Sequence, residues 1–485
     1  MKWSYVGNWG DKGFSAVFTI VLAGILGPRD FGIVSIGLIY LGFLQLLLDQ
    51  GFATALVQRK HLEDGHLNAV FWVNVELSAV LVLVSFLFAH LWAIANHAPE
   101  VASIIPVLSI SIPLEALSIV QIAILKREMN FRTLTIRSNV SLAISGVIGI
   151  GLAIAGFGVW ALVAQQVIKD FLALLLLWRM SSWRPKFRFS WKHLKDLMAF
   201  SVHNFIARLG IFADGQAASI ALGLFFGPVA VGLYRIADRV VGSVITMAMS
   251  ATQAVSLAEF SRHQDNPVEL RNTVKTCIKM TAVVTIPALA GLAMVSRPLL
   301  ATIGPQWIVA DNVLKVLCLA GILMVFTFFS GPLLQALAKT RHFAILEWSR
   351  TVVGFILLVA AGMYVRHGVD SLQIMGIALA RLAGAVFFTT PVFLWILFHY
   401  SKITVRDFIH ALKPSLIASL FIIAAVSLME TINWPPLGSY ALRLTFEVVI
   451  GAFAGLPAML FFDPELRRSI LAMVRRNIAP KSISP

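Results

Sequence analysis

Between residues 3 and 462 the sequence is a succession of apolar runs long enough to cross a bilayer, joined by short connections. They fall at 3–27, 31–57, 67–95, 101–125, 136–157, 158–180, 197–225, 229–257, 276–303, 312–338, 343–366, 373–399, 408–430 and 438–462, fourteen in all. A membrane-crossing helix needs about 20 mostly apolar residues, because in lipid each backbone N–H and C=O must be satisfied inside its own segment. The predicted fold class is therefore all-α integral membrane, with about fourteen transmembrane helices. Some runs are parted only by glycine-rich breaks, at Ala155–Gly158 and Gly227-Pro228, and twelve helices with a re-entrant loop fit the same pattern. Composition excludes a soluble domain: 13% of residues are charged and 58% hydrophobic, against roughly 25% charged in soluble proteins.

The formal charge of +15 does not point to nucleic acid, because Lys and Arg recur in small groups between apolar runs rather than on one arm. Of 39 basic residues, 29 lie at the N-terminus, in alternate connections or in the tail, among them Lys126, Arg127, Arg132, Arg137, Arg184, Lys186, Arg262 and Arg350. The intervening connections hold few beyond Arg29 and Arg366. Short basic loops remain cytoplasmic, which predicts both termini in the cytoplasm of a multi-pass protein of the bacterial inner membrane. No small-residue cleavage site follows the first run, so it reads as a retained helix. Cys277 and Cys318 fall at opposite faces and are predicted to be free thiols. The largest connections, 181–196 and 258–275, are basic and have about 16 to 18 residues. A membrane enzyme acting on glycans needs more extramembrane chain than that.

The chain also repeats itself. Gly27-Pro28-Arg29-Asp30-Phe31-Gly32 returns as Gly227-Pro228-Val229-Ala230-Val231-Gly232, and Lys126 to Phe131 has a looser echo in Lys339 to Phe343. Offsets of about 200 and 212 residues predict two parallel six-helix halves. Chance recurrence of Gly-Pro at helix breaks is the alternative. Parallel repeats around a central site are an architecture of alternating-access transporters.

A charge at bilayer centre costs about 2.5–3.5 kcal/mol on insertion scales, so ionisable residues inside the runs need partners, water or a function. Arg235, Arg239, Gly242, Thr246, Met249 and Gln253 form one stripe on the run 229–257, with Arg239 near mid-depth. The run 197–225 adds Asn204 and Arg208, also placed near mid-depth; 373–399 adds Arg381, and 158–180 adds Lys169 beside Gln165 and Gln166. Local ion pairs explain these equally well: Asp238 adjoins Arg239, Asp170 adjoins Lys169, and Asp214 shares a run with Arg208. Arginine nevertheless exceeds carboxylate here, and a guanidinium fork suits phosphate oxygens. In the first half, Ser35, Gly42, Gln45 and Asp49 share one side of a helix, and Glu76 and Glu115 lie inside two others. Asp49, Glu76 and Glu115 are candidates for ion coupling, or simply structural carboxylates. Asp11 and Lys12 fall within or beside the first helix, whose strictly apolar part is too short to span. The eleven histidines show no paired ligand spacing, and no catalytic, nucleotide or metal motif is present, so no cofactor and no metal are expected.

Leu22 to Lys60, with LGPRDFG at Leu26–Gly32 and LLDQGFATALVQRK at Leu47–Lys60, resembles the opening of bacterial polysaccharide-repeat flippases. HLNAVFWVN at His66–Asn74, Asp214 with Gly223–Tyr234, Gly304-Pro305-Gln306-Trp307 and LQALAKT at Leu334–Thr340 are similar to later parts of that family. Most of 1–400 is covered, although Met1 leaves almost no lead before the first helix, where a few residues are expected to be missing. The family lies in the multidrug, oligosaccharidyl-lipid and polysaccharide exporter superfamily. The resemblance implies two six-helix lobes around a central cavity plus two extra helices: 1–180, a basic linker 181–196, 197–400, and 401–485 with a basic tail.

It also implies a flippase for undecaprenyl-pyrophosphate-linked oligosaccharide repeat units in exopolysaccharide or lipopolysaccharide biosynthesis, and no enzymatic activity. Lipid-linked oligosaccharide and membrane lipids are the implied partners, with polysaccharide polymerase and export proteins alongside. The matched motifs are structural, so the site residues come from the charged and polar residues inside the runs: Arg208, Arg239 and Arg381 for the phosphate, Arg235 near the exit, and Asn204 and Gln253 beside them for pyrophosphate or glycan. The rivals are a cation-coupled multidrug antiporter of the same fold, which needs an acidic cavity, and a membrane glycan polymerase or ligase, which needs long outer loops.

Overall fold

The computed structural model describes residues 2–59, 61–432, 439–463 and 467–468, and every regular element among them is helical. The chain runs through α1 (Lys2–Ile25), α2 (Pro28–Asp49), α3 (Phe52–Gln58), α4 (Asp64–Ala95), α5 (Val101–Leu108), α6 (Ser111–Arg127), α7 (Phe131–Ile154) and α8 (Val159–Met180). It continues through α9 (Trp191–Phe226), α10 (Pro228–Arg262), α11 (Pro267–Met294), α12 (Ser296–Ile303), a 3-10 turn at Pro305–Ala310, α13 (Asp311–Thr327) and α14 (Ser330–Ala336). Last come α15 (Thr340–Tyr364), α16 (Asp370–Gly384), a π-turn at Ala385–Thr389, α17 (Thr390–Ser401), α18 (Val405–Ile432) and α19 (Tyr440–Phe462).

Among the described residues twelve helical stretches are long and apolar enough to cross a membrane. α1 and α10 are not among them. In α1 the described apolar stretch is Lys12–Ile25, and α10, of 35 residues, carries Arg235, Asp238 and Arg239 near its start; both helices include side chains outside the described residues.

Several expected runs are broken. The run 31–57 divides where Gln50 and Gly51 take φ of 40° and 81°, and 101–125 divides at Ser109-Ile110. The basic connections are shorter than expected, leaving 181–190 and 263–266 outside helices. Backbone hydrogen bonding carries a helix past its apolar stretch until a cap stops it. The Asn266 side chain accepts from the Val268 and Glu269 N–H groups, with Pro267 in the first turn. Cys277 and Cys318 are both free.

By packing, the chain divides into two compact units, 1–240 with 344–381 and 241–343 with 382–485. The first division therefore does not fall at the basic linker. α9, beyond that linker, packs against α2, α3 and α4, with Leu194 and Leu197 buried among Phe52, Leu67, Phe71 and Val120. In the same unit α1 lies on α7 and α7 on α8. In the second unit α18 lies on α11 and α19, and Phe260, Leu270, Ile278, Phe329 and Phe393 form its core.

The two Gly-Pro repeats meet inside the first unit. A Cβ on Gly32 would overlap the Pro228 carbonyl oxygen, and one on Gly232 would overlap that of Pro28. Only glycine allows the two backbones this close. Each proline opens its helix with φ already set, after a residue that takes φ +78° at Gly227 and an extended conformation at Gly27.

Candidate intramembrane charged site

α10 starts at Pro228, so Arg239 stands about 16 Å along it at 1.5 Å per residue. That is half of a hydrocarbon core of about 30 Å. Arg239 is exposed, and its Nη2 donates to Ser15 Oγ at 2.5 Å. A guanidinium exposed at that depth is stable only against water or polar groups, so this face of α10 borders a polar space. One turn earlier, Arg235 Nη1 donates to Gln216 Oε1 of α9 at 3.0 Å. Tyr234 and Asp238, four residues apart, both receive Arg381 of α16: its Nη1 lies 2.9 Å from Tyr234 Oη and 3.3 Å from Asp238 Oδ1. The Tyr234 ring is buried, so its hydroxyl fixes the arginine from the protein side.

α15 supplies Arg350, whose Nη2 lies 3.0 Å from Asp214 Oδ2 and 2.9 Å from Glu347 Oε2. Two expected local pairs are thereby replaced. Asp238 pairs with Arg381 rather than with its neighbour Arg239, because adjacent side chains on a helix point to different faces. Asp214 pairs with Arg350 rather than Arg208, whose spacing of six residues is not a helical neighbour spacing. Among the described residues, Arg235, Arg239, Arg350 and Arg381 share this region with Asp214, Asp238 and Glu347.

Arg208 belongs to another cluster and another depth. It stands 18 residues before the end of α9 at Phe226, about 27 Å at 1.5 Å per residue, farther from the Gly-Pro end than Arg239. It pairs with Asp49, the last residue of α2. Asp49 Oδ1 is buried without a hydrogen-bond partner, and so is Glu115 Oε2 on α6. Glu115 faces Gln45 and lies in the fields of Asp49, Asp170 and Lys169. The expected Lys169–Asp170 pair is present at 3.5 Å, with Gln166 bonded to both. Glu76 does not join them. It is exposed on α4, on the same helical face as the exposed Val80 and Leu83. The side chains of Asn204 and Gln253 lie outside the described residues.

Residues 21–312 match the profile of a family described as polysaccharide biosynthesis protein. The chain belongs to that family. Proteins of similar sequence include the succinoglycan biosynthesis transport protein ExoT of Rhizobium meliloti, 27% identical over 98% of this chain and 94% of that one, and the teichuronic acid biosynthesis protein TuaB of Bacillus subtilis, 26% identical over 88% of each. The lipopolysaccharide biosynthesis protein WzxC of Escherichia coli is 24% identical over 70% of this chain and 69% of its own. Among solved structures, the lipid II flippase MurJ in an inward closed conformation superposes with a TM-score of 0.71 at 16% identity, over 94% of this chain and 99% of that one. An inward-facing multidrug resistance MATE transporter gives 0.59 at 19% identity, over 82% and 94%. At these identities the structural likeness establishes the fold.

In this polysaccharide biosynthesis family member, sequence reading passed over five residues of the candidate site: Ser15, Gln216, Tyr234, Glu347 and Arg350. Arg350 counts as a loop cation by its place in the charge alternation, yet it lies inside the span Arg341–Tyr364. The Glu347–Arg350 spacing of three residues was the available signal. The second unit contributes a different feature, an apolar groove of about 500 Å³. Pro287 and Gly291 of α11, Ile422 and Val426 of α18, and Gly451 and Gly455 of α19 line it. At one end Glu447 is buried and bonded to Arg443 Nε at 2.7 Å.

Proposed function

We propose that the protein is a flippase that carries polyprenyl-pyrophosphate-linked oligosaccharide repeat units from the cytoplasmic to the periplasmic leaflet of the bacterial inner membrane. The exposed Arg239 at mid-depth carries this reading. A stable cationic group there implies a hydrated path, and four arginines gathered beside it favour an anion. Arg235 and Arg239 hold the pyrophosphate: Arg235 donates to a neutral amide, Gln216, which exchanges readily, and Arg239 is exposed one turn further on. Arg381 and Arg350, held by carboxylates, fix the wall that supports them. Arg208, tied to Asp49 farther from the Gly-Pro end, receives the phosphate on entry. The isoprenoid tail occupies the apolar groove of α11, α18 and α19, whose lining matches its chemistry.

The topology proposed with it has fourteen spans and both termini in the cytoplasm. Two six-helix repeats, 1–180 and 197–400, rock about the Gly-Pro contact, and the helices of 401–485 are appended. The reciprocal fit of Gly32 and Gly232 supports a repeat related by pseudo-twofold symmetry. A drug antiporter is disfavoured by the four arginines gathered in this region, and a glycan polymerase by outer connections as short as 155–158 and 365–369.

The test is reconstitution in liposomes with a polyprenyl-pyrophosphate oligosaccharide, reading exposure of the glycan to an enzyme outside. Protein-dependent exposure that falls in Arg235→Ala and Arg239→Ala variants is the expected result. Efflux of a cationic dye with no glycan exposure would sink the proposal.

A further inference from the structure

The connection 181–190 is strapped to the start of α4. The Lys186 N–H donates to Asn68 Oδ1 at 2.7 Å, its Nζ lies 2.7 Å from Asp64 Oδ2, and Trp72 Nε1 donates to its carbonyl at 2.9 Å. In the middle of this strap are two imidazoles. His66 of α4 is 1% exposed, and His193 of α9 meets it edge to face with ring centroids 4.4 Å apart. His193 Nε2 lies 3.1 Å from Oε2 of Glu63, the residue that caps α4. Asp196 Oδ2 lies 3.8 Å from His66 Nε2. Donor atoms of Glu63, His66 and His193 fall within 4.8 Å of one another. His66 Nε2 is buried and lacks a hydrogen-bond partner. A Cβ at Gly65 would come within 2.7 Å of the His193 ring, so the backbone is bare where that ring reaches over it.

We propose that Glu63, His66 and His193 form a binding site for a divalent cation of the zinc class, which fastens the start of α9 to the start of α4, with Asp196, paired to Arg59 at 3.3 Å, at its edge. Two imidazoles with a carboxylate suit zinc, whereas calcium and magnesium take oxygen donors. His193 Nδ1 lies 2.6 Å from Ser190 Oγ, an outer partner that orients the ring with Nε2 toward Glu63. Binding replaces the proton held between His193 Nε2 and Glu63 Oε2, and that proton passes to water. His66 accepts the Glu63 N–H at Nδ1, 3.2 Å away. Ligation through Nε2 moves the ring proton to Nδ1, so this one capping bond opens as the metal bonds form. The sequence hid the site because Glu63 and His193 are 130 residues apart.

The experiment titrates cobalt into the full-length protein, purified in detergent and stripped with chelator, and then competes it with zinc. The expected result is one cobalt per chain with the intense visible absorption of tetrahedral coordination, displaced by zinc, and a zinc-dependent rise in unfolding temperature. Glu63→Gln and His193→Asn should each weaken binding by about tenfold or more. Glu63→Gln keeps an oxygen for the α4 cap, so it provides a folded variant even where His193→Asn does not. Tetrahedral absorption of equal strength in Glu63→Gln and the parent protein overturns the proposal. A parent protein that shows neither tetrahedral absorption nor a zinc-dependent shift overturns it equally.

Discussion

Gly32 and Gly232 hold each other's helix at backbone contact: each faces the carbonyl of the proline that opens the other's helix, Pro228 for Gly32 and Pro28 for Gly232. A methyl group at either position has nowhere to go, because the obstructing atom is backbone rather than the end of a side chain. Gly32→Ala and Gly232→Ala should each destabilise the fold by about 1–3 kcal/mol or more, the usual cost of overpacking. Gly215, whose Cβ would meet nothing within 4 Å, is the control. Thermal unfolding and monodisperse yield in detergent check this, and equal behaviour of Gly32→Ala and Gly215→Ala would refute it.

The arginines should divide into two classes on substitution. Arg350→Ala strands Asp214 and Glu347, and Arg381→Ala strands Asp238, so both should lower stability, each by about 1.5–3 kcal/mol, the range for a hydrogen bond to a charged group. Arg235→Ala leaves only the Gln216 amide without its partner, and should leave stability within about 1 kcal/mol, the worth of an ordinary hydrogen bond. Transport should reverse this order, with Arg235→Ala losing activity in folded protein. Unfolding temperatures measured beside glycan flipping in the same liposome preparations separate the two classes.

How far the sequence carries depends on the range of the interaction. The apolar runs and the Gly-Pro repeat are local patterns: the runs lie in helices, several of them broken into two, and both Gly-Pro pairs open helices. Helix ends were misplaced because hydropathy marks where lipid stops and not where hydrogen bonding stops, as α9 shows by starting at Trp191. Site residues Arg235, Arg239 and Arg381 were legible as charges within apolar runs. Their partners were not, since Asp238–Arg381 and Asp214–Arg350 join residues 143 and 136 apart. Nearest-neighbour guesses failed for the same reason, and only Lys169–Asp170, a contact along one helix, could be read directly.

Asp49, Glu76 and Glu115 should behave differently if a cation gradient drives transport. Glu115 and Asp49 each have a buried carboxylate oxygen with no hydrogen-bond partner, which a proton or a small cation can satisfy. Glu76 is exposed and has no such need. Glu115→Gln should abolish the dependence of flipping on an imposed pH or sodium gradient, while Glu76→Gln leaves it intact. Measuring initial rates with and without the gradient in both variants decides the matter; a gradient response preserved in Glu115→Gln would remove Glu115 from coupling.

The groove of the second unit makes a prediction that does not involve charge. Ala452, which also lines it, is exposed, so a larger side chain there fills the groove without displacing core atoms. Ala452→Trp should therefore leave the unfolding temperature within about 2–4 °C of the parent, the shift expected for up to about 1 kcal/mol in a domain of 150–250 residues. It should slow flipping of a long polyprenyl substrate while sparing one with a short tail, because only the long chain needs the whole groove. Comparing rates for the two tail lengths in parent and variant tests this. Equal slowing of both would mean that the substitution acts on the transport cycle itself, and the isoprenoid chain would then lie elsewhere.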